Sequence, residues 1–126
     1  MNIPKELRYL SSHEWAKNEN GMVRVGISDH AQHEITDVVH VELPAIGKKV
    51  EKGQPCAVVE SVKAAFDIYA PVSGTVIAIN DKLANSPELV NQSPYQDGFF
   101  FVIQASDVTQ LNSLMSADDY QKTLTH

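Results

Sequence analysis

The chain has 126 residues, 43% hydrophobic and 21% charged, which predicts one compact globular domain over residues 1–126. Ten Lys and Arg against sixteen Asp and Glu give a net charge of −6, which lacks the basic face a nucleic-acid binder needs. No apolar run approaches the roughly 20 residues of a membrane span, residues 1–8 lack a signal-peptide core, and a single cysteine, Cys56, excludes an internal disulfide. These counts fit a soluble protein of a reducing compartment, poorly equipped for redox chemistry with its own side chains.

Short Val- and Ile-rich runs between frequent Gly and Pro predict strands and turns. Residues 13–17 and 22–27 flank Asn20-Gly21, a strong two-residue hairpin signal. Ser28 is placed to cap a short helix over 29–35, and residues 38–43 form a β-branched strand that stops at Pro44. A loop with Gly47 and Gly53 leads to strands at 56–61 and 65–69, broken around 62–64. A further strand at 75–80 puts Val76, Ala78 and Asn80 on one face and Ile77 and Ile79 on the other. Residues 81–98 read as ordered loop, 99–104 as an apolar strand, and 107–115 after Ser106 and 117–124 as two helical pieces. The second opens on Ser116 and Asp119, a capping box with Asp where Glu is usual.

Pro44-Ala-Ile-Gly47 and Pro71-Val-Ser-Gly74 repeat P-x-x-G, aligning Val41 with Ile68, Val50 with Ile77 and Gly53 with Asn80. The last two both accept left-handed backbone. Two similar β-units predict a mainly β fold, a quasi-twofold sandwich of two small antiparallel sheets, with one hairpin tip near Val62-Lys63 and its mate near Leu89-Val90.

Few constellations carry chemistry. His33-Glu34-Ile35-Thr36 starts like a zinc-protease H-E-x-x-H, but Asp37 stands where the second His belongs. His30 and His33 are three apart without a third ligand, so no metal site is expected. Cys56 lies in an apolar strand and reads as a small core residue. Lys63 is different: Val62, Ala64 and Ala65 surround it where a solvent turn would favour Gly, Asn, Asp or Ser. A lysine on a bare tip between two strands suits acylation by another enzyme, which removes its charge and makes the side chain a tether.

The chain resembles the H-protein family of the glycine cleavage system. Ser12-His13-Glu14-Trp15 is similar to the family's S-H-E-W, Val25–Gln32 to V-G-I-T-D-x-A-Q, and Val41-Glu42-Leu43-Pro44 to V-E-L-P. Glu60-Ser61-Val62-Lys63-Ala64-Ala65 resembles the attachment motif, continued by Asp67-Ile68-Tyr69 and Pro71-Val72-Ser73-Gly74. Leu89-Val90-Asn91, Ser93-Pro94-Tyr95 and Asp118-Asp119-Tyr120 resemble later segments. Three positions depart: Thr36 replaces a glycine, Phe99 a frequent tryptophan, and Phe66 a frequent serine close enough to alter the surface partners meet.

The resemblance implies a barrel-sandwich hybrid of the lipoyl/biotinyl-carrier type, with a short helix near 29–35 and C-terminal helices, acting in bacterial cytoplasm. It implies a carrier rather than an enzyme, with lipoate on Lys63 set by a lipoate-attaching enzyme within Glu60, Ser61, Val62 and Ala64. Glycine decarboxylase, a pyridoxal phosphate enzyme, would load the arm with aminomethyl. The tetrahydrofolate-dependent aminomethyltransferase would unload it, and dihydrolipoyl dehydrogenase would reoxidise it. Because the load is a cationic amine labile to water, Glu14 and Asp67 are expected to hold it, with Ser12 as a neutral acceptor. The charge of −6 predicts partners with basic docking surfaces. The alternatives are a lipoyl carrier or donor serving another lipoate-dependent complex, a biotin carrier, which Val62 and Ala64 argue against, and an unmodified β-sandwich adaptor.

Overall fold

The computed structural model describes residues 2–124. Strands β1 (Arg8–Tyr9), β2 (Glu14–Glu19) and β3 (Met22–Ile27) come first, and helix α1 (Asp29–Ile35) follows. The β2–β3 hairpin turns at Asn20 and Gly21, at φ 58° and 86°, because only positive φ gives a two-residue turn the twist of its strands. Ser28 Oγ accepts from Ala31 N at 3.1 Å and starts α1 as expected. Strands β4 (Val38–Glu42), β5 (Lys49–Val50), β6 (Pro55–Ser61), β7 (Ala65–Tyr69) and β8 (Gly74–Ile79) make up the middle. Helices α2 (Lys82–Asn85) and α3 (Leu89–Gln92), strand β9 (Phe101–Ala105), a 3₁₀ turn (Val108–Ser113) and helix α4 (Ala117–Leu124) complete the chain.

The strands form two antiparallel sheets, six-stranded β1-β2-β3-β9-β8-β5 and three-stranded β4-β6-β7, so the expected mainly β sandwich is the fold. Val23, Val25, Phe101 and Ile103 from the larger sheet and Val59 and Ile68 from the smaller share one core. A second cluster of Leu7, Tyr9, Trp15, Ala117 and Tyr120 seats α4, with Tyr9 and Tyr120 stacked at 4.6 Å between ring centroids. Among the described residues no helix is long and apolar enough to cross a membrane.

Several expectations are corrected. Residues 81–98 contain two single-turn helices, α2 and α3, each burying one aliphatic side chain (Leu83, Val90) that the polar composition hides. The turn after Ser106 is 3₁₀ and is capped by Asp107, which accepts from Thr109 N. The first hairpin strand starts at Glu14, because His13 sits at φ 81° outside β geometry. A register shift between Val76 and Ala78 breaks the alternation of β8: Ile77 is 38% exposed, while Ile79 pairs with Phe101 and packs on the core.

The repeat is weaker in space than in sequence. Val41 and Ile68 are both buried, but Val50 is buried and Ile77 is not. Gly53 takes φ 85° whereas Asn80 is not left-handed; its amide instead donates to Asp97 O and Phe99 O from a buried position. The mate of the Val62-Lys63 tip is helix α3, and Val90 is fully buried, so no second tip exists there.

The pairing of Trp15 with Gly26 is a tight constraint. A Cβ on Gly26 would lie 2.7 Å from the indole of Trp15, which is fully buried with Nε1 donating to Pro94 O at 2.9 Å. Gly26→Ala is expected to cost about 2 kcal/mol through overpacking, read as a lowered urea midpoint with an unchanged slope. A midpoint equal to the parent's would mean that the indole can shift.

Candidate functional site

Val62, Lys63 and Ala64 connect β6 to β7, and the tight turn that Ser61 and Ala64 close has Val62 and Lys63 at its centre, yet neither has the positive φ that such hairpins favour. Side-chain bonds from Ser61 replace the missing glycine. Its Oγ accepts from Lys63 N at 3.1 Å and Ala64 N at 3.3 Å, and Ser61 N donates to Ala64 O at 2.9 Å. The tip is also braced from outside, because Val62 N donates to Asp37 O at 2.9 Å. It therefore does not stand clear of the body, as the two flanking strands alone suggested.

Lys63 is exposed, and its Nζ donates to Glu34 O at 3.3 Å, at the C-terminal end of α1 where the helix dipole favours a cation. Val62 is 68% exposed beside it. Glu60 is half-buried, Ser61 buried and Ala64 exposed, so the motif residues flanking Lys63 divide between the turn's framework and its surface.

The turn that braces the tip is strained. Thr36 adopts φ 65° and ψ −151°, a region suited to glycine. Asn91 holds it: Nδ2 donates to Thr36 O at 2.8 Å while Oδ1 accepts from Val38 N at 2.9 Å. No role for Asn91 follows from sequence, since its partners Val38, Thr36 and Gln32 lie 53, 55 and 59 residues away.

A cavity of about 180 Å³ opens between α1, β7 and the loop before β2, lined by Ser12, His13, Ala31, Ile35, Phe66, Asp67 and Ile68. Phe66 forms part of this wall while 38% exposed. Ser12 and Glu14 are brought together: Ser12 Oγ donates to Glu14 Oε1 at 2.5 Å. Glu14 lies below the cavity surface, 1% exposed, and its Oε2 accepts from Tyr69 N at 2.7 Å. Asp67 is set apart from both. Alternation along β7 turns it to the face opposite Phe66 and Ile68, where it is exposed and opposes Val58.

His13 was not singled out by its sequence position alone. Its Nδ1 lies 2.7 Å from Tyr120 Oη, whose other contact is Ser28 Oγ at 2.6 Å, and its ring is 5.0 Å from that of His30. Burial and then the neighbouring His30 lower its pKa. Burial pushes Tyr120 up to about 12 and the Cys56 thiol up to about 12, so both stay protonated and Cys56 is the inert core residue expected.

Burial raises Glu14 above its ordinary 4.5, opposed by the bonds from Ser12 and Tyr69. The folded chain thus keeps a proton on Glu14 where the unfolded chain has lost it. This contribution to stability is complete below pH 4.5 and is lost as pH rises through the raised folded value. The stability of the parent minus that of Glu14→Gln is expected to fall with rising pH, read from urea midpoints between about pH 4 and 7. A difference independent of pH would refute the raised carboxyl.

A family model described as glycine cleavage H-protein matches residues 7–126. The glycine cleavage system H protein of Endomicrobium trichonymphae is 54% identical over 124 residues, covering 98% of this chain and 100% of the relative. That of Alcanivorax borkumensis is 57% identical over 119 residues, 94% and 93% of the two chains. The crystal structure of a glycine cleavage system H protein from Mycobacterium marinum superposes with a TM-score of 0.90 at 31% identity, covering 97% of this chain and 98% of that one.

Proposed function

The chain belongs to the glycine cleavage H-protein family, and from that membership we propose that it is the lipoyl carrier of a glycine cleavage system, with lipoate on Lys63. The observation that carries this reading is the exposed lysine on a turn braced by Ser61 and Asp37, beside a cavity. The surroundings fit the group. Lys63 forms no ion pair with a described residue, so losing its charge on acylation leaves no carboxylate stranded, and only small or exposed residues adjoin it. Bound lipoate supplies a disulfide that exchanges two electrons and carries a one-carbon amine, which no side chain of this protein provides.

The chain's own residues position and shelter. Ser61 fixes the turn, and Glu60, Val62 and Ala64 give an attaching enzyme its approach to Lys63. Ser12 offers a hydroxyl in the cavity wall, backed by the buried carboxyl of Glu14, and Asp67 a carboxylate at the cavity edge, for the cationic load. The proposed partners are the lipoate-attaching enzyme, glycine decarboxylase, the aminomethyltransferase and dihydrolipoyl dehydrogenase. The tether raises the local concentration of the carried group at each of their sites. The protein is their substrate and performs no turnover alone in this reading.

Incubation with a lipoate-attaching enzyme, lipoate and ATP is expected to add the mass of one lipoyl group, and Lys63→Arg to add none. The loaded chain should then show glycine-dependent reduction with glycine decarboxylase. A chain that gains no mass, or one that is lipoylated but not reduced, sinks the reading. Glu14→Gln and Asp67→Ala are expected to shorten the lifetime of the loaded arm in water; parental lifetimes in both would remove these carboxylates from the cargo site.

A further inference from the structure

The tip that bears Lys63 is tied to helix α3 through a single peptide group. Val62 N donates to Asp37 O, and the N–H of that same peptide, Val38 N, donates to Asn91 Oδ1, both at 2.9 Å. No peptide among the described residues is cis, so this carbonyl and N–H point to opposite edges of one rigid plane. The turn of Lys63 hangs on one edge and α3 on the other. Asn91 Nδ2 donates to Thr36 O at 2.8 Å and to Gln32 Oε1 at 3.2 Å, so the preceding peptide and α1 are held by the same amide. Strand pairing alone leaves this end loose. β4 meets β6 at Val38 and Ser61, and the register then shifts before His40 and Glu60, with Val39 53% exposed between them. Asn91 itself is well seated: it follows the fully buried Val90, and the end of α3 is closed by Ser93 N on Leu89 O and by Gly98, where a Cβ would clash with Leu89 O.

We propose that Asn91 is a positioning residue for attachment at Lys63: through the Asp37–Val38 peptide it presets the tip in the place where the lipoate-attaching enzyme binds it. The proposal rests on the carrier reading and adds to it a residue outside the attachment motif. Nothing else in the turn can replace the amide. Thr36, at φ 65° and ψ −151°, does not favour the native shape unaided. Ser61 bonds only to Lys63 N and to the N and O of Ala64, so it holds the shape of the tip and not its place on the body. Without Asn91 the turn keeps its form but swings, and a fraction of the chains presents it as the enzyme needs. Apparent affinity falls by that fraction. Acyl transfer from lipoyl adenylate is untouched. That step forms the amide between Nζ and the lipoyl carbonyl, breaks the bond from that carbonyl to AMP, and releases a proton from the lysine. KM for the chain therefore rises while kcat holds. An asparagine that served stability alone would move neither, because below the melting temperature nearly every molecule stays folded.

The test follows lipoylation of the full chain by mass against time, with the attaching enzyme, lipoate and ATP, over a range of chain concentrations well below the melting temperature. Asn91→Ala is expected to raise KM about fivefold with kcat within about twofold of the parent. Asn91→Ser, whose hydroxyl cannot span both peptides, is expected to raise KM about threefold. Gly26→Ala, an overpacking change in the larger sheet, is expected to keep both constants. Hydrogen exchange of the unlipoylated chain gives a second readout. Asn91→Ala should speed exchange at Val62 N–H about tenfold more than at Val76 N–H, which bonds Lys48 O at 2.9 Å in the larger sheet. Parental KM for Asn91→Ala overturns the proposal, as does an equal rise in Gly26→Ala, which would trace the effect to stability alone. Equal acceleration at Val62 and Val76 removes the peptide link and the proposal with it. Melting curves show which variants fold: if only Asn91→Ala does not, Asn91→Ser decides by the same criteria, and if neither folds, Asn91 holds the fold rather than the tip and the proposal fails. If the parent is lipoylated and Asn91→Ala matches it, the positioning role fails alone. If the parent takes no lipoate, the carrier reading is what fails, and the role of Asn91 in attachment goes with it.

Discussion

A buried carboxylate joins the two sheets. Glu14 belongs to β2 of the larger sheet and accepts from Tyr69 N on β7 of the smaller, at the edge that β6 does not cover. Desolvation makes such a group costly, and only the donors aimed at it offset that cost. Tyr69 N supplies one and Ser12 a second, so the loop before β2 is drawn to the same point. The cavity wall follows from this tie. Ser12 and His13 are held against β7 because Glu14 is, and α1 closes the other side because Ser28, directly after β3, caps it and bonds to Tyr120.

The tip that bears Lys63 is held by a different logic. A two-residue turn without glycine cannot rely on backbone permissiveness, so its shape comes from the Ser61 hydroxyl and from Asp37 across the gap to β4. Rigidity in the turn and freedom in the side chain are complementary. The lysine swings from a fixed base, and its present contact, a single carbonyl at a helix end, is one that acylation can release at small cost.

Local chemistry was legible in sequence where it was local in fact. Asn20-Gly21, the Ser28 cap, the break at 62–64 and the span of α4 each depend on residues a few positions apart, and each appears where the sequence puts it. What composition concealed depends on partners far away. The single-turn helices α2 and α3 form under polar sequence because one side chain in each reaches the core. The two-residue strands β1 and β5 are too short to show alternation. At the site, the sequence points to Lys63, Ser12, Glu14 and Asp67, but the division between a buried Glu14 bonded to the exposed Ser12 and an outward Asp67 depends on tertiary packing and pairing register, which a single strand does not display. Asn91 and His13 act through residues more than fifty positions off, and no short motif announces that.

Thr36 stands where a glycine would be unstrained, and the chain keeps it because the Asn91 amide grips the peptide on either side. Two positions are thereby made to drift together. With Thr36 in place, loss of the Asn91 amide releases a turn that already leans away from its native shape. With glycine in place, the same loss is far milder. The order in which such changes are acquired then matters: threonine costs least at position 36 when the amide is already present, and loss of the amide costs least when glycine is there. The turn beneath Lys63 thus depends on two side chains together, where a glycine would have made it depend on neither.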